Sequence, residues 1–310
     1  MPCFHLLMGP NEELELATAE LSALAGHVCG GRVATGPIAP DVTRSAYVRL
    51  TARQLAAASN YTQLSAAIAE MDLRCEGYRI EVFRPAPRVD VNATELQKSI
   101  ADLISGRPNL DNPRIQFAVI VTQEMWYFGV TVSRSGQRWH SQANRPYYYS
   151  HGLRSQMARA LVNLVAAPGD TLLDPCCGSG TVVAEALRDG IYAWGVEMNP
   201  SLARQAAANL HSLKLPANVM VGDARRLRGR FDAAVIDFPY GHSSPVETGL
   251  YAEVLTNLRS QVGRMALVCG CDQSHLLRQL GLTIRQQASV TKGQLTRYIY
   301  SVSTKKGQSL

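Results

Sequence analysis

The sequence predicts an α/β chain with a smaller α+β part at its N-terminus, and three observations carry that prediction. From Gln156 onward, short apolar runs alternate with stretches of helical periodicity, the pattern of a mostly parallel sheet covered by helices. One of those runs breaks into Asp174-Pro-Cys-Cys-Gly-Ser-Gly-Thr181, a glycine-rich turn that opens a helix. The first 150 residues alternate strands and helices less regularly and close on two adjacent apolar runs that read as a hairpin.

Taken in order, Cys3–Met8 is a short apolar strand. Glu12–Gly26 is a helix, with Leu14, Ala17, Leu21 and Leu24 at helical spacing, acids in its first turn and Gly26 as a stop. Ala46–Thr51 is a second strand, and Leu64–Arg74 is a helix with Ala67, Ile68 and Met71 on one face. This β-α-β-α order over residues 1–74 is compatible with a ferredoxin-like unit. A second unit follows over 75–140: strand Tyr78–Phe83, helix Ala93–Ser105, then strands Ile115–Thr122 and Trp126–Val132. Residues 141–152 read as a linker, and 153–310 as the main domain. Its strands are Thr171–Cys176, Tyr192–Glu197, Asn218–Val221, Ala233–Asp237 and Met265–Cys269, with helices Thr181–Asp189, Pro200–Leu213, Tyr251–Val262 and Ser274–Leu280 between them. Leu282–Val290 and Leu295–Ser303 end it as a strand pair around Thr291-Lys-Gly-Gln294.

Composition narrows the classes. Hydrophobic residues make up 46% and charged residues 18%, ordinary values for a globular chain. No run reaches the roughly 18 apolar residues of a membrane span, and the start lacks the basic and apolar regions of a signal peptide, so a cytoplasmic location is expected. Seven cysteines without paired CxxC spacing predict neither a disulfide framework nor a zinc site, and no metal is expected. The net charge of +6 is uneven: residues 1–150 hold 14 basic and 14 acidic residues, and the remainder hold 17 and 11. A modest basic excess in the C-terminal half permits a polyanionic partner without requiring one.

The glycine loop is the first chemical element. Gly178 and Gly180 remove side chains where a backbone must turn tightly and approach a ligand. Asp174 ahead of them would repel a pyrophosphate but suits a cationic sulfonium ligand or its amino group, and no Walker lysine follows Gly180. Glu197 ends the next strand, where a carboxylate can accept both ribose hydroxyls of an adenosine. Asp223, in Val221-Gly-Asp-Ala224, ends the strand after that and reads either as a ligand contact or as a helix cap. Asp237-Phe-Pro-Tyr240 then places an acid, a backbone carbonyl fixed by Pro239, and an aromatic ring at one strand end. An exocyclic amine is a poor nucleophile because its lone pair is delocalised into the ring. Two acceptors, the Asp237 carboxylate and the Phe238 carbonyl, would hold its hydrogens and favour pyramidalisation while Tyr240 stacks on the base. Catalysis would then be mainly positioning. Between the halves, Arg134 to Arg154 holds four arginines, two histidines, one tryptophan, three tyrosines and no acid. That mixture suits phosphates and unpaired bases, and equally suits a packed linker. Arg225, Arg226, Arg228 and Arg230 form a basic run read as a solvated loop face.

The glycine loop paired with the Asp-Phe-Pro-Tyr string resembles the class I methyltransferases that use S-adenosylmethionine to methylate exocyclic amines of nucleobases. The closing strand pair resembles the end of their Rossmann-like sheet. Tyr78 to Val132, above all Ile120-Val-Thr-Gln-Glu-Met-Trp-Tyr-Phe-Gly-Val-Thr-Val132, resembles the THUMP RNA-binding module. Tyr240-Gly-His-Ser-Ser244 with Leu250-Tyr251, and Arg145-Pro-Tyr-Tyr-Tyr149 with Ala158 to Leu164, are similar to archaeal and eukaryotic tRNA guanine-N2 methyltransferases. The resemblance spans most of residues 75–270. It implies methylation of a guanosine N2 in tRNA, at position ten in the nearest family, with S-adenosylmethionine as cofactor. It further implies cofactor contacts by Asp174, Cys176, Gly178, Gly180, Thr181, Glu197, Met198, Asp223 and Ala224, and an adenine contact for Asp223. The catalytic string is Asp237, Phe238, Pro239 and Tyr240. RNA contacts fall on Arg134, Arg138, Arg145, Arg154 and His242. Two positions depart from the family pattern, which has proline at Phe238 and arginine at His242. Some relatives require a small activating subunit, which no residue here reports. Alternatives are another tRNA position, ribosomal RNA or a DNA adenine as acceptor, or a non-catalytic RNA-binding protein with a degenerate methyltransferase domain. A nicotinamide oxidoreductase lies further off, since no hydride-transfer constellation accompanies the motifs.

Overall fold

The computed structural model describes residues 2–136, 145–147, 152–239 and 249–304. The chain divides into two compact units.

The first unit comprises Met1–Met8, Ala25–Thr43 and Val48–Ser135. Its strands are β1 (Cys3–Leu7), β2 (Cys29–Gly30), β3 (Val33–Gly36), β4 (Val48–Ala58), β5 (Tyr78–Phe83), β6 (Ile115–Val121) and β7 (Trp126–Arg134). They form one sheet in the order β2-β3-β1-β4-β7-β6-β5. The segments read as two successive modules thus share a single sheet, joined where β4 and β7 pair antiparallel from Leu50↔Arg134 to Ala58↔Trp126. Glycine is required at that seam, because a Cβ on Gly129 would lie 2.2 Å from the Arg53 carbonyl oxygen. The long β4 and the small β2–β3 pair had no clear signature in sequence. Helices α2 (Tyr61–Glu70) and α3 (Ala93–Ala101) start at Asn60 and Asn92, whose side chains accept from the backbone N–H of Gln63 and of Thr94 and Glu95. Their buried stripes, Leu64 with Ile68 and Leu96 with Ile100, pack with Tyr78, Phe117, Val119 and Phe128 in one core. Phe4, Leu6, Leu50 and Ile120 form a second cluster.

The second unit comprises Gly9–Leu24, Arg44–Tyr47 and Gly136–Leu310. Its strands are β8 (Thr171–Asp174), β9 (Tyr192–Glu197), β10 (Val219–Val221), β11 (Phe231–Asp237), β12 (Val262–Cys269), β13 (Thr283–Lys292) and β14 (Leu295–Ser303). The sheet order is β10-β9-β8-β11-β12-β14-β13. The first five strands are parallel, and β14 is antiparallel to both its neighbours. The fold class is therefore mixed α/β, with the Rossmann-like order and the antiparallel closing pair. Helices α4 (Ser155–Asn163), α5 (Thr181–Arg188), α6 (Pro200–Ser212), α7 (Leu250–Leu258) and α8 (Ser274–Gln279) connect or flank these strands. Val262, read as a helix end, is instead the first residue of β12 and is buried. Among the described residues, no helix is long and apolar enough to cross a membrane.

Helix α1 (Leu14–Ala25), almost all of it in this second unit, is anchored through a polar hub rather than by its apolar face alone. Glu20 is fully buried and accepts from Ser45 Oγ, the Ala46 and Tyr47 backbone N–H groups and Asn163 Nδ2, all within 2.6–2.8 Å. Beside it Arg44 donates to Asn163 Oδ1 and to the Ala166 carbonyl. Arg159, 1% exposed, pairs with Glu185 and Asp189 at 2.7 Å each. Buried charges are tolerated only when paired and hydrogen-bonded in this way.

Candidate active site

The carboxyl ends of β8, β9, β10 and β11 carry Asp174, Glu197, Val221 just before Gly222-Asp223, and Asp237. Four neighbouring strands thus deliver their acids to one rim, where open α/β sheets bind ligands. The glycine loop leaves β8 at Asp174, which is buried and accepts a 3.3 Å bond from the Cys176 backbone N–H. Gly180 is the N-cap of α5 with φ 80°, a left-handed conformation that favours glycine. A Cβ there would also lie 3.3 Å from Ala206 Cβ on α6, so glycine sets how closely loop and helix approach. Gly178, at φ 49°, has nothing within 4 Å of a built Cβ, which leaves its face of the loop open.

Glu197 is oriented by the loop itself. Its Oε2 accepts from the Gly178 N–H at 3.0 Å and its Oε1 from the Asn199 N–H at 2.9 Å. Asn199 in turn caps α6, with Pro200 in the first turn. Gly195, two residues earlier, faces Cys177, whose Sγ would be 2.8 Å from an added Cβ. Met198 is 67% exposed beside Glu197. Cys176 and Cys177 are held as neutral thiols, because burial and then neighbouring carboxylates push them up.

Asp174 of β8 feels the acids of β9 and β11. Asp174 is raised well above the carboxylate range, first by burial and then, against the Cys176 N–H bond, by the charges of Asp237 and Glu197. Asp237 is pushed up to about 7 by burial, opposed by Arg297 of β14. A cationic ligand on this rim would favour the ionised forms of Asp174 and Asp237 against that burial. Asp223 differs. It caps a short 3-10 turn (Ala224–Arg226), accepting from the Arg225 N–H at 2.9 Å, and the Arg225 side chain grips both its oxygens. That pairing holds it below the usual carboxylate range. The cap reading of Asp223 is the one these bonds express, and Ala224 beside it is buried.

Phe238 is 1% exposed, with its ring turned into the core against Tyr251, centroids 4.5 Å apart and planes at 84°. Its N–H donates to the Val268 carbonyl at 3.1 Å. The rigidity that a proline would give is supplied here by packing and a backbone bond. Pro239 is exposed. Tyr240, His242 and Arg138 lie outside the described residues.

Three of the arginines expected to meet RNA lie among the described residues, and each has a partner in its own unit. Arg134, in the first unit, binds Glu81 through both terminal nitrogens. Arg154 pairs with Glu13, which is buried. Arg145 donates to Thr181 Oγ1 at 2.8 Å, beside the glycine loop. Sequence reasoning missed Asn209 of α6, which is 1% exposed. Its Nδ2 donates to the Tyr147 and Ser179 carbonyls, and its Oδ1 accepts from the Tyr147 N–H. An asparagine in the inward stripe Ala203, Ala206, Asn209, Leu210 was the available signal. Arg297 was missed too, since nothing local marks a strand arginine as facing an acid two strands away in the sheet. Among the described residues, no group of three His, Cys, Asp or Glu side chains could hold a metal ion.

Comparison with known proteins gives a consistent picture. Residues 142–297 match the family model UPF0020, RMKL-like, methyltransferase domain. A tRNA (guanine(10)-N2)-dimethyltransferase of Methanothermobacter thermautotrophicus is 26% identical over 195 residues, covering 58% of each chain. The Pyrococcus abyssi protein of the same name is 28% identical over 210 residues, 61% of this chain and 63% of that one. The U6 snRNA (guanine-N(2))-methyltransferase THUMPD2 of Mus musculus is 26% identical over 143 residues, 44% of this chain and 26% of that one. The matches therefore span less than two thirds of these relatives' lengths. In three dimensions, TrmN from Thermus thermophilus aligns over 98% of this chain and 99% of its own, with a TM-score of 0.50 and 19% identity, a likeness of fold.

Proposed function

The chain belongs to the RMKL-like methyltransferase-domain family, and from that premise we propose that it transfers the methyl group of S-adenosylmethionine to the exocyclic N2 of a guanosine in tRNA. The observation that carries this reading is the rim: a glycine loop locked onto Glu197 beside an acid-Phe-Pro string whose Asp237 sits two strands away in the sheet. The residues present fit the cofactor. The open face at Gly178 leaves backbone accessible, and the carboxylates of Asp174, Glu197 and Asp237 suit a sulfonium cation. When bound, the cofactor supplies the electrophilic methyl carbon.

Within that reading Glu197, aimed by two backbone N–H groups, takes the ribose hydroxyls, and exposed Met198 covers one face of the adenine. Asp174 holds the amino end, while Cys176, Gly180, Thr181 and Ala224 shape the walls. Asp223, whose oxygens hold Arg225, would also accept from the adenine amino group. At the acceptor end, the Asp237 carboxylate and the Phe238 carbonyl take the two N2 hydrogens. With the methyl group accepted by N2, Asp237 would take the surplus N2 proton, and its value near 7 suits a transient acceptor at neutral pH. The base must leave its stack to reach this site. Names of the relatives support tRNA as acceptor. The mouse relative's U6 snRNA keeps other RNA guanosines within the same chemistry. A cytoplasmic location and RNA-contacting roles for Arg134, Arg138, Arg145, Arg154 and His242 belong to this proposal, as does the division into ferredoxin-like, THUMP-like and catalytic domains. An activating subunit is compatible with it.

The test is to incubate the purified chain with labelled S-adenosylmethionine and unmodified tRNA, digest the RNA and identify the labelled nucleoside. N2-methylguanosine is the expected product. Label in another nucleoside, or no label in any RNA despite cofactor binding, would overturn the assignment.

A further inference from the structure

We propose that the arginine loop 225–230 and helix α7 form a groove that binds the phosphate backbone of the RNA substrate. The inference rests on RNA being the acceptor. The groove has a volume of about 950 Å³, and Arg225, Arg226, Arg228 and Arg230 line it opposite α7. The buried stripe of α7 is Val254, Leu255 and Leu258, and the groove takes the opposite one, Ala252, Glu253, Thr256 and Asn257.

The four arginines divide into two pairs by what they touch. Arg225 is committed to Asp223 and lies 3.6 Å from Glu253. Arg228 donates to Asn257 Oδ1 at 2.8 Å. These two hold the loop against α7. Arg226 and Arg230 are exposed, and neither side chain makes a hydrogen bond or ion pair among the described residues, although the charge of Arg226 reaches Asp223. A folded loop that spends two arginines on its own shape thus presents two more to solvent.

The lining decides the kind of ligand. It contains one acid, Glu253, and no aromatic or large apolar side chain. Base stacking needs rings, and protein interfaces need apolar or aromatic anchors, so neither fits. Guanidinium groups with neutral hydroxyl and amide neighbours match phosphate oxygens, which position a nucleic acid without reading its sequence. Position matters as well. The loop starts at Asp223, one residue after Gly222, whose N–H bonds the Glu197 carbonyl on the ligand rim. Helix α7 starts at Leu250, shortly after the catalytic string. From Asp223 at the rim the groove follows α7 to Arg230 and Gln261, which precede β11 and β12 at their amino ends, so it leads from the rim along the outside of the unit.

The test uses the full chain and measures tRNA binding by fluorescence anisotropy across a KCl series, with S-adenosylhomocysteine affinity measured by calorimetry. R226E/R230E should weaken tRNA binding about tenfold or more and flatten the slope of log K against log salt by about 1.4, two phosphates' worth at about 0.7 each for single strands. R226K/R230K, which keeps both charges, should bind RNA within a few-fold of the unaltered chain. S-adenosylhomocysteine affinity should be the same in all three. Unchanged RNA affinity and slope in R226E/R230E would overturn the groove. An equal loss in the lysine pair would overturn it too. A salt slope that responds to R226E/R230E would stand even if labelled tRNA gave no N2-methylguanosine, so the groove and the proposed reaction fail separately.

Discussion

In the proposed reaction Asp237 is an acceptor at the moment of transfer, yet its surroundings favour the protonated acid, with a value near 7. Turnover should therefore rise with pH through about 7 and level off above it, measured as initial rate at saturating RNA. Stability runs the other way. The folded carboxyl binds its proton more tightly than the unfolded one, so between about 4 and 7 the native state holds more protons and stability falls as pH rises. Asp237→Asn should remove the rate profile, lower transfer by 10²-fold or more, and melt higher than the parent at pH 8. A lower melting temperature for Asp237→Asn at pH 8 would contradict the burial argument. Phe238 gives a second residue-scale prediction. Phe238→Ala empties a core position against Tyr251 and should cost about 3–5 kcal/mol in denaturant unfolding. Phe238→Pro, although it matches the resembled family, removes the N–H bonded to Val268 and should also destabilise. Asp174, Glu197 and Asp237 could be found in sequence because each ends an apolar run. The Asp223–Arg225 grip and the Arg297 field could not, because each depends on which side chain a fold places nearby.

At the scale of elements, the glycine loop is positioned from both flanks. Asn209 ties it to residue 147 and α6, and Gly195 leaves room for Cys177 beneath it. Asn209→Ala should leave the Tyr147 and Ser179 backbone groups short of a partner, at about 1–3 kcal/mol, and weaken S-adenosylhomocysteine binding more than RNA binding. Calorimetry with cofactor product and anisotropy with RNA would separate the two effects. The strands Tyr192–Glu197 and Leu295–Ser303 follow their sequence patterns residue for residue, because alternation and bounding turns are local. Strand β4 extends to Ala58, well past the expected Thr51, because pairing with β7 supplies ladder bonds that alanine-rich sequence does not advertise.

At the scale of the molecule, the second unit is discontinuous in sequence. Residues 9–24 and 44–47 complete it, through Glu20, Arg44 and their partners on α4. A fragment of residues 136–310 should therefore lack a cooperative thermal transition by circular dichroism, whereas the full chain melts cooperatively. Glu20→Ala in the full chain should cost about 3 kcal/mol or more, since several buried donors lose one acceptor together. A fragment that melts sharply and binds S-adenosylhomocysteine like the full chain would show the hub to be dispensable.

The sequence alone determined the parallel core, the glycine loop, the strand-end acids and the antiparallel closing pair. Each is written in local terms: apolar period, turn residues, and an acid where a run stops. Only the tertiary structure decided that the first seven strands make one sheet, that α1 serves the second unit, and that Arg134, Arg145 and Arg154 are each already engaged within the fold. Those outcomes depend on strand pairing across about 75 residues and on which buried polar group satisfies which. Both are set by the energy of the whole packed chain, and neither leaves a periodic mark on the residues that take part.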